Sequence, residues 1–445
     1  MKRVGFYTLG CKVNYAESAC IAAMFQQHDF ELTSEPGEAD VWIINTCSVT
    51  ENADRECRQL IRRIHRKAPD AFVIVTGCYA QLQPERVASL EGVDAVLGSR
   101  EKSEIFELIS EFKRRDVPLI AVSPHNQLDD FWLADSSGFG ERTRAFLKIQ
   151  DGCDYNCSFC VIPQARGTSR SEPVDNVIIR ARSLIERGYK EIVLTGVNVG
   201  DYGRKIGGSL YDLLCKLDEL EGLQRLRISS IEPNLLTDEI IKLVAHSEKI
   251  CPHFHIPLQS GSDTVLARMR RRYKSVLYRD RVETILSYIP HAGIGVDVIV
   301  GFPGETEREF EETYRFLSDL PVSYFHVFSY SVRQNTPAAS MGGVVSPQER
   351  ERRSRTLRAL GVTKRRRWIA RYIGEQVSVL LEGDYTDDGA FMHGFTPNYM
   401  RVRLPAQRKL ENEIVTARIV GLLGDVAQGT FCPSEDEVLI PQVNL

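Results

Sequence analysis

Three short runs, "RVGFYTLGC" at 3–11, "VWIINTC" at 41–47 and "FVIVTGC" at 72–78, are each apolar, rich in β-branched or aromatic residues, and closed by a cysteine. Between them, "AESACIAAMFQQHDF" and "ENADRECRQLIRRIHRK" carry helical spacing. Strand and helix in alternation predict a mostly parallel sheet, because each crossover helix returns the chain to the same edge. All three runs then end at the sheet's carboxyl edge, where open α/β sheets bind ligands. Cys11, Cys47 and Cys78 are thereby predicted to meet, although 36 and 31 residues separate them in sequence. Strand-end thiols taken alone are commonly small buried apolar groups. Cys20 and Cys57 fall inside the helical stretches and read as structural or incidental.

A second series begins after the polar stretch "WLADSSGFGERTR" at 132–144. The apolar runs "AFLKIQ", "EIVLTGV", "LQRLRISS", "HFHIPLQ", "IGVDVIVGF" and "VSYFHVFSYS" alternate with helix-like segments up to about residue 330. Six β/α units predict a partial or full parallel barrel with its functional residues on the loops after the strands. From residue 373, short strands separated by Gly and Pro turns predict a small β-barrel. The expected architecture is α/β, with units at 1–135, 140–372 and 373–445.

The chain is 43% hydrophobic and 26% charged, as soluble globular proteins are. No run approaches the roughly 20 apolar residues of a membrane span. The start "MKRVGFYTLGCK" contains no apolar signal segment, so the expected location is the cytoplasm with no membrane partner. Eleven cysteines in such a chain point to metal or redox chemistry more than to a disulfide framework. The net charge is −4, yet residues 348–372 hold ten Arg/Lys against two Glu, a local +8 that suits a polyanion or a solvated basic helix.

Within "DGCDYNCSFC" at 151–160, Cys153, Cys157 and Cys160 follow the first barrel strand. A closed structural zinc site wants four ligands, usually in pairs. Three soft thiolates suit a 4Fe-4S cluster with one iron left open, the arrangement that makes a metal site catalytic. The alternative is zinc completed by His253 or His255. Those two alternate on one face of a predicted strand and read more readily as interior residues.

"CDYNCSFC", with Phe159 before its last cysteine, resembles the signature of the radical S-adenosylmethionine (SAM) enzymes. "TLGCKVNYAES", "INTCSVTENA" and "VTGCYAQ" resemble the amino-terminal domain of the radical SAM methylthiotransferases. "CSFCVIPQARGTSRSEP", "HIPLQSGSDTVLARMRRRY" and "DVIVGFPGET" are similar to that family's barrel, and the last segment to its RNA-binding TRAM domain. The resemblance covers nearly the whole chain. It implies one 4Fe-4S cluster on Cys153, Cys157 and Cys160, with SAM on the open iron and cleaved to a 5′-deoxyadenosyl radical. A second 4Fe-4S cluster on Cys11, Cys47 and Cys78 would carry sulfur. No catalytic residue beyond the cluster ligands is implied.

Phe159, Asn198, Glu232 and Gln259 are the candidate SAM contacts, the last three at the carboxyl ends of successive strands. "TGVN" at 195–198 departs from the glycine-glycine-glutamate pattern of many radical SAM enzymes. "GFPGET" at 301–306 is expected near the adenosyl group, and Thr306 with Glu309 also spells a capping box. Candidate RNA contacts are Arg270, Arg271 and Arg272 in "RMRRRYK", and Tyr399, Arg401 and Arg403 in "NYMRVRL", where stacking and charge combine.

The implied activity is methylthiolation at C2 of a modified adenosine beside the tRNA anticodon, position 37, with SAM as both methyl donor and radical source. "GCKVN" at 10–14 looks more like the branch acting on N6-threonylcarbamoyladenosine than the isopentenyladenosine branch. Implied partners are the tRNA anticodon stem-loop, a reducing protein such as flavodoxin or ferredoxin, and a sulfur donor of unknown identity. Other readings are the same chemistry on isopentenyladenosine or on a ribosomal-protein aspartate, and a non-enzymatic iron-sulfur RNA-binding or redox-sensing protein.

Overall fold

The computed structural model describes residues 2–432 apart from 36, 49, 141 and 142; the end of the predicted third unit, 433–445, lies outside the described residues. The first sheet contains β1 (Lys2–Thr8), β2 (Phe30–Thr33), β3 (Val41–Thr46), β4 (Phe72–Gly77), β5 (Ala95–Leu97) and β6 (Leu119–Ala121). Its order is β2-β1-β3-β4-β5-β6 and every pairing is parallel, as the alternation of strand and helix predicts. β3 and β4 are buried along their whole length, which explains their unbroken apolar runs. The strand order reverses between β1 and β3, the place where doubly wound sheets open a crevice. α1 (Lys12–Gln27) and α2 (Glu51–Lys67) begin just beyond these two strands.

The central unit holds β7 (Ala134–Asp135), β8 (Arg144–Lys148), β9 (Gln150–Asp151), β10 (Arg170–Ser171), β11 (Glu191–Thr195), β12 (Arg225–Ile228), β13 (His253–Gln259), β14 (Gly293–Val300) and β15 (Tyr324–Ser329). β8, β11 and β12 pair in parallel in one sheet, and β13, β14 and β15 in another. Single bridges Leu226 to Ile250 and Ser230 to His255 join the two sheets into a six-stranded partial barrel. Alternation sorts the side chains: Leu147, Ile192, Leu226, Phe254 and Val296 belong to the core under the outer helices. Arg144, Phe146, Val193, Arg227, His255 and Asp297 occupy the alternate positions, facing the lumen.

The first unit does not stand apart from the barrel. Ala16 of α1 is buried with Ala134, Phe146 and Val193, so this helix covers the lumen's open flank. The helix Pro347–Ala370 closes the other edge beside β15, where Gly361 lies against Phe325.

β16 (Gln376–Tyr385), β17 (Phe391–Phe395), β18 (Arg401–Pro405), β19 (Ile414–Leu423) and β20 (Val426–Phe431) close a small barrel in the order β16-β17-β18-β20-β19. Its β17–β18 turn seals the floor of the large barrel. Arg225 donates to the Phe395 carbonyl at 2.9 Å, and Arg227 donates to those of Pro397 at 2.7 Å and Thr396 at 3.3 Å. Gly293 has no space for a side chain, since a Cβ there would lie 1.9 Å from the Asn398 carbonyl oxygen.

Candidate active site

The loop carrying Cys153, Cys157 and Cys160 is clamped at its base by the antiparallel pair β9–β10. Inside it, Cys153 N–H donates to the Gly167 carbonyl at 3.1 Å and Cys160 N–H to that of Cys157 at 3.1 Å. Ser158 N–H donates to the Met269 carbonyl at 3.0 Å and its hydroxyl to that of Arg268 at 2.7 Å, pinning the loop to the segment after β13. Burial, with a smaller contribution from Cys157, pushes the Cys153 and Cys160 thiols up to about 12. Such groups sit together and give up their protons to a metal, which stabilises the thiolate. The Arg271 guanidinium donates to Cys157 Sγ at 3.1 Å and is itself ion-paired with Glu232.

The second triplet is assembled from three strand ends. Cys11 precedes α1 as its N-cap, Cys47 follows β3, and Cys78 opens the short helix α3 (Cys78–Leu82) after β4. Gly10 makes this approach possible: its φ is +104°, and a Cβ there would lie 2.7 Å from Cys47 Cβ. Burial raises the Cys78 thiol, the positive charge of Arg166 opposes the rise, and the nearby Cys11 adds to it.

Arg166 ends the helix Ile162–Arg166 that follows the first triplet, and it is 1% exposed. Its Nη1 lies 3.1 Å from Glu17 Oε1 and 3.0 Å from Asp151 Oδ1, and Nη2 donates to Asn14 Oδ1 at 2.5 Å. Glu17 also pairs with Lys102 at 2.6 Å and Lys148 at 2.8 Å, and Lys148 pairs with Asp151 at 2.7 Å. Arg170 adds a further pair to Asp151 at 3.7 Å. Four cations thus meet two carboxylates, and positive charge from Arg166 lies beside Cys78 and Cys11. That surplus opposes the negative charge that three thiolates bring to a cluster. Burial would raise the two carboxyls, yet Arg166 and the lysines hold Glu17 and Asp151 below the ordinary carboxylate range.

The residues fit SAM as well. Asn198 is buried, and neither side-chain oxygen nor nitrogen has a partner; Thr195 Oγ1 and Ser229 Oγ, at the carboxyl ends of β11 and β12, are also unpartnered. Orphaned polar atoms at one end of a barrel ask for a polar ligand. Gln259 and Phe159 line a cavity of about 200 Å³ with Cys160, Asp297, Ile299 and Tyr330. Glu232 is committed to Arg271, so it reaches a ligand only alongside that guanidinium.

Several sequence assignments need correction. Arg271 faces the first triplet rather than solvent, and Arg272 donates to the Asp154 carbonyl at 3.0 Å and lies over Tyr155. Arg270 alone of the three is exposed without such an anchor. Tyr399 offers no open face for a base: its ring stacks on His253 at 4.5 Å and Phe395 at 4.8 Å, with Arg144 and Arg227 close above it. Arg401 pairs with Asp384 at 2.6 Å and Arg403 lies over Phe391. His253 Nε2 is 2.8 Å from the Tyr324 hydroxyl, and His255 sits between Ser230 at 2.5 Å and Asp297 at 3.0 Å. Both belong to the lumen, as their alternation suggests, where His255, Asp297 and His326 present ligand atoms within 4.8 Å of one another. Thr306 and Glu309 form the expected capping box, and Glu309 pairs with Arg268 at 2.9 Å.

Sequence reasoning missed Arg166, Glu17, Lys102, Lys148 and Asp151. A signal existed in α1, where Asn14, Glu17 and Ser18 share the buried stripe with Ile21. Polar residues on an apolar stripe are buried with partners.

Comparison with known proteins agrees with this geometry. Residues 3–98 match the model described as uncharacterized protein family UPF0004, and residues 147–317 match the radical SAM superfamily. A Bacillus subtilis threonylcarbamoyladenosine tRNA methylthiotransferase, MtaB, is 40% identical over 443 residues, covering 98% of each chain. An MtaB from Thermotoga maritima is 37% identical over 86% of this chain and 87% of its own. An Akkermansia muciniphila tRNA-2-methylthio-N(6)-dimethylallyladenosine synthase is 31% identical over 98% of this chain and 100% of its own. Among solved structures, the radical SAM methyltransferase TsrM from Kitasatospora setae shares the fold over 76% of this chain and 77% of its own, with TM-score 0.55 and 17% identity. The chain belongs to the radical SAM methylthiotransferase family, of the MtaB type.

Proposed function

We propose that this protein installs a methylthio group at C2 of N6-threonylcarbamoyladenosine in the tRNA anticodon loop. The observation that carries the reading is Arg166, six residues after Cys160, whose guanidinium charge lies beside the Cys78 and Cys11 thiols: one short helix links the two triplets. The higher identity to MtaB relatives than to the dimethylallyladenosine synthase supports the threonylcarbamoyl branch.

Cys153, Cys157 and Cys160 would hold the cluster that binds SAM, and Cys11, Cys47 and Cys78 the second cluster. When bound, these groups supply a carbon-centred radical on one side and sulfur on the other. The chain's own residues do the rest. Arg271 holds a positive charge against Cys157, Asn198 offers its free amide to SAM, and the Arg166 network fixes the two cysteine loops in register. Arg270 and the exposed Arg355, Arg358, Arg366 and Arg367 of the basic helix are the phosphate contacts. Residues 1–135, 140–372 and 373–445 would serve as sulfur-carrying, radical-generating and RNA-holding units. No described helix is long and apolar enough to cross a membrane. A cytoplasmic enzyme reduced by a flavodoxin or ferredoxin is the corresponding setting.

Mass spectrometry of tRNA nucleosides from cells lacking the protein tests the reading. The methylthiolated threonylcarbamoyladenosine should disappear and its unthiolated precursor accumulate. An unchanged profile overturns the tRNA assignment, and loss of methylthio-isopentenyladenosine instead moves the enzyme to the other branch.

A further inference from the structure

Three adjacent strands of the lumen wall each carry one side chain able to bind a metal: His255 of β13, Asp297 of β14 and His326 of β15. Asp297 lies opposite His326 in the parallel register, and His255 lies opposite Gly295, two residues before Asp297. Alternate residues of a strand share a face, so the register brings all three side chains to the lumen side. Their ligand atoms lie within 4.8 Å of one another.

His255 Nε2 is 3.0 Å from Asp297 Oδ1. Two donors held about 2.1 Å from one ion stand roughly 3.0–3.5 Å apart, so this pair already has the spacing of two ligands to a single cation. The other ring nitrogen, Nδ1, is 2.5 Å from the Ser230 hydroxyl. A ligating histidine is oriented by such a second hydrogen bond, which leaves Nε2 for the ion. His326 is exposed and makes no hydrogen bond among the described residues, so a turn of its ring closes the remaining gap. The carboxylate, meanwhile, lacks a permanent counter-charge. Among the described residues Asp297 has no lysine or arginine partner, although its side chain is only 21% exposed. Arg144 and Arg227 of the same lumen are taken by Glu382 at 2.7 Å and Glu191 at 2.6 Å. A largely buried carboxylate without a cation is costly, and a metal ion relieves that cost.

We propose that His255, Asp297 and His326 bind a divalent first-row transition cation such as zinc, at a site separate from both cysteine triplets. Two imidazoles and one carboxylate suit such an ion, and three protein ligands leave coordination positions open. Asp297 lines the cavity of about 200 Å³ that Cys160 and Gln259 also line, so the open positions adjoin the reaction chamber, where water or a substrate oxygen can take them.

The test uses the full-length protein with its clusters reconstituted, freed of loose metal and then given one equivalent of zinc, a probe counted apart from cluster iron. The wild type should retain about one zinc per chain, and zinc X-ray absorption should show only nitrogen and oxygen neighbours at about 2.0–2.2 Å. His326→Gln and Asp297→Asn should each weaken zinc binding roughly 100-fold while keeping about eight irons, and Ser230→Ala should weaken it roughly 10-fold. Sulfur neighbours at about 2.3 Å, no zinc retained by the wild type, or undiminished retention in either ligand variant overturns the proposal. If a variant loses iron, the neighbours of zinc in the wild type decide.

Discussion

The two cysteine triplets reach similar arrangements by different routes. Cys153, Cys157 and Cys160 lie within eight residues on a loop clamped by a two-residue strand pair, and the flanking cation Arg271 has one carboxylate partner. Cys11, Cys47 and Cys78 exist as a group only once β1, β3 and β4 have paired, and their flanking cation Arg166 belongs to a different sheet system. A local triplet depends on its loop; a dispersed one depends on the whole interface between the first sheet and the barrel. Damage to the two should therefore spread differently.

The largest contrast is in the thiols themselves. Cys157→Ala should abolish 5′-deoxyadenosine release and lower iron from about eight to about four per chain. Cys78→Ala should lose a similar amount of iron yet still release 5′-deoxyadenosine, with no methylthio product. If Cys78→Ala also ends SAM cleavage, the triplets are not separable and the comparison breaks.

Arg166→Met sharpens the contrast one step out. It takes one guanidinium from Glu17 and Asp151, which keep Lys102, Lys148 and Arg170, and breaking a buried ion network by removing one member costs about 3–5 kcal/mol. Urea unfolding should register that loss, with iron lost first from the Cys78 side. The same network sets the acid limit. Glu17 and Asp151 titrate below their ordinary range when folded, so at acid pH the folded chain binds fewer protons than the unfolded one. Their stabilisation is complete above about pH 4–5 and is lost as pH falls through the depressed folded values. Wild-type stability should drop more steeply from pH 6 to pH 3 than that of Arg166→Met; parallel curves would remove the network from the account.

The smallest effect belongs to a helix cap. Thr306→Ala deletes the capping box and should cost about 1 kcal/mol in urea unfolding, with iron content unchanged. Iron loss from this variant would tie the "GFPGET" turn to a cluster.

Much of this was legible in the sequence because it is written in local pattern. Strand runs ending in cysteine predicted the parallel sheet, and six further runs predicted the barrel. The charges were harder. In "RMRRRYK", adjacent arginines look equivalent, but the turn after β13 sends Arg268 to Glu309, Arg271 to Cys157 and Arg272 to a backbone carbonyl. Tyr399 looked like a stacking platform and is one, though for His253 and Phe395 rather than a nucleotide. Which cation meets which anion is settled by contacts between residues more than a hundred positions apart, such as Glu17 and Arg166, and no local window contains both.

The sealed floor also bears on how the carboxyl-terminal unit is regarded. Arg225 and Arg227 satisfy their guanidinium groups on carbonyls of the β17–β18 turn, and Arg144 on Glu382. Detaching the small barrel would open the reaction chamber from below and leave three cations facing water where they now face backbone and carboxylate. Besides any contact of its own, that unit is the chamber's base plate, and shortening the chain there removes a wall.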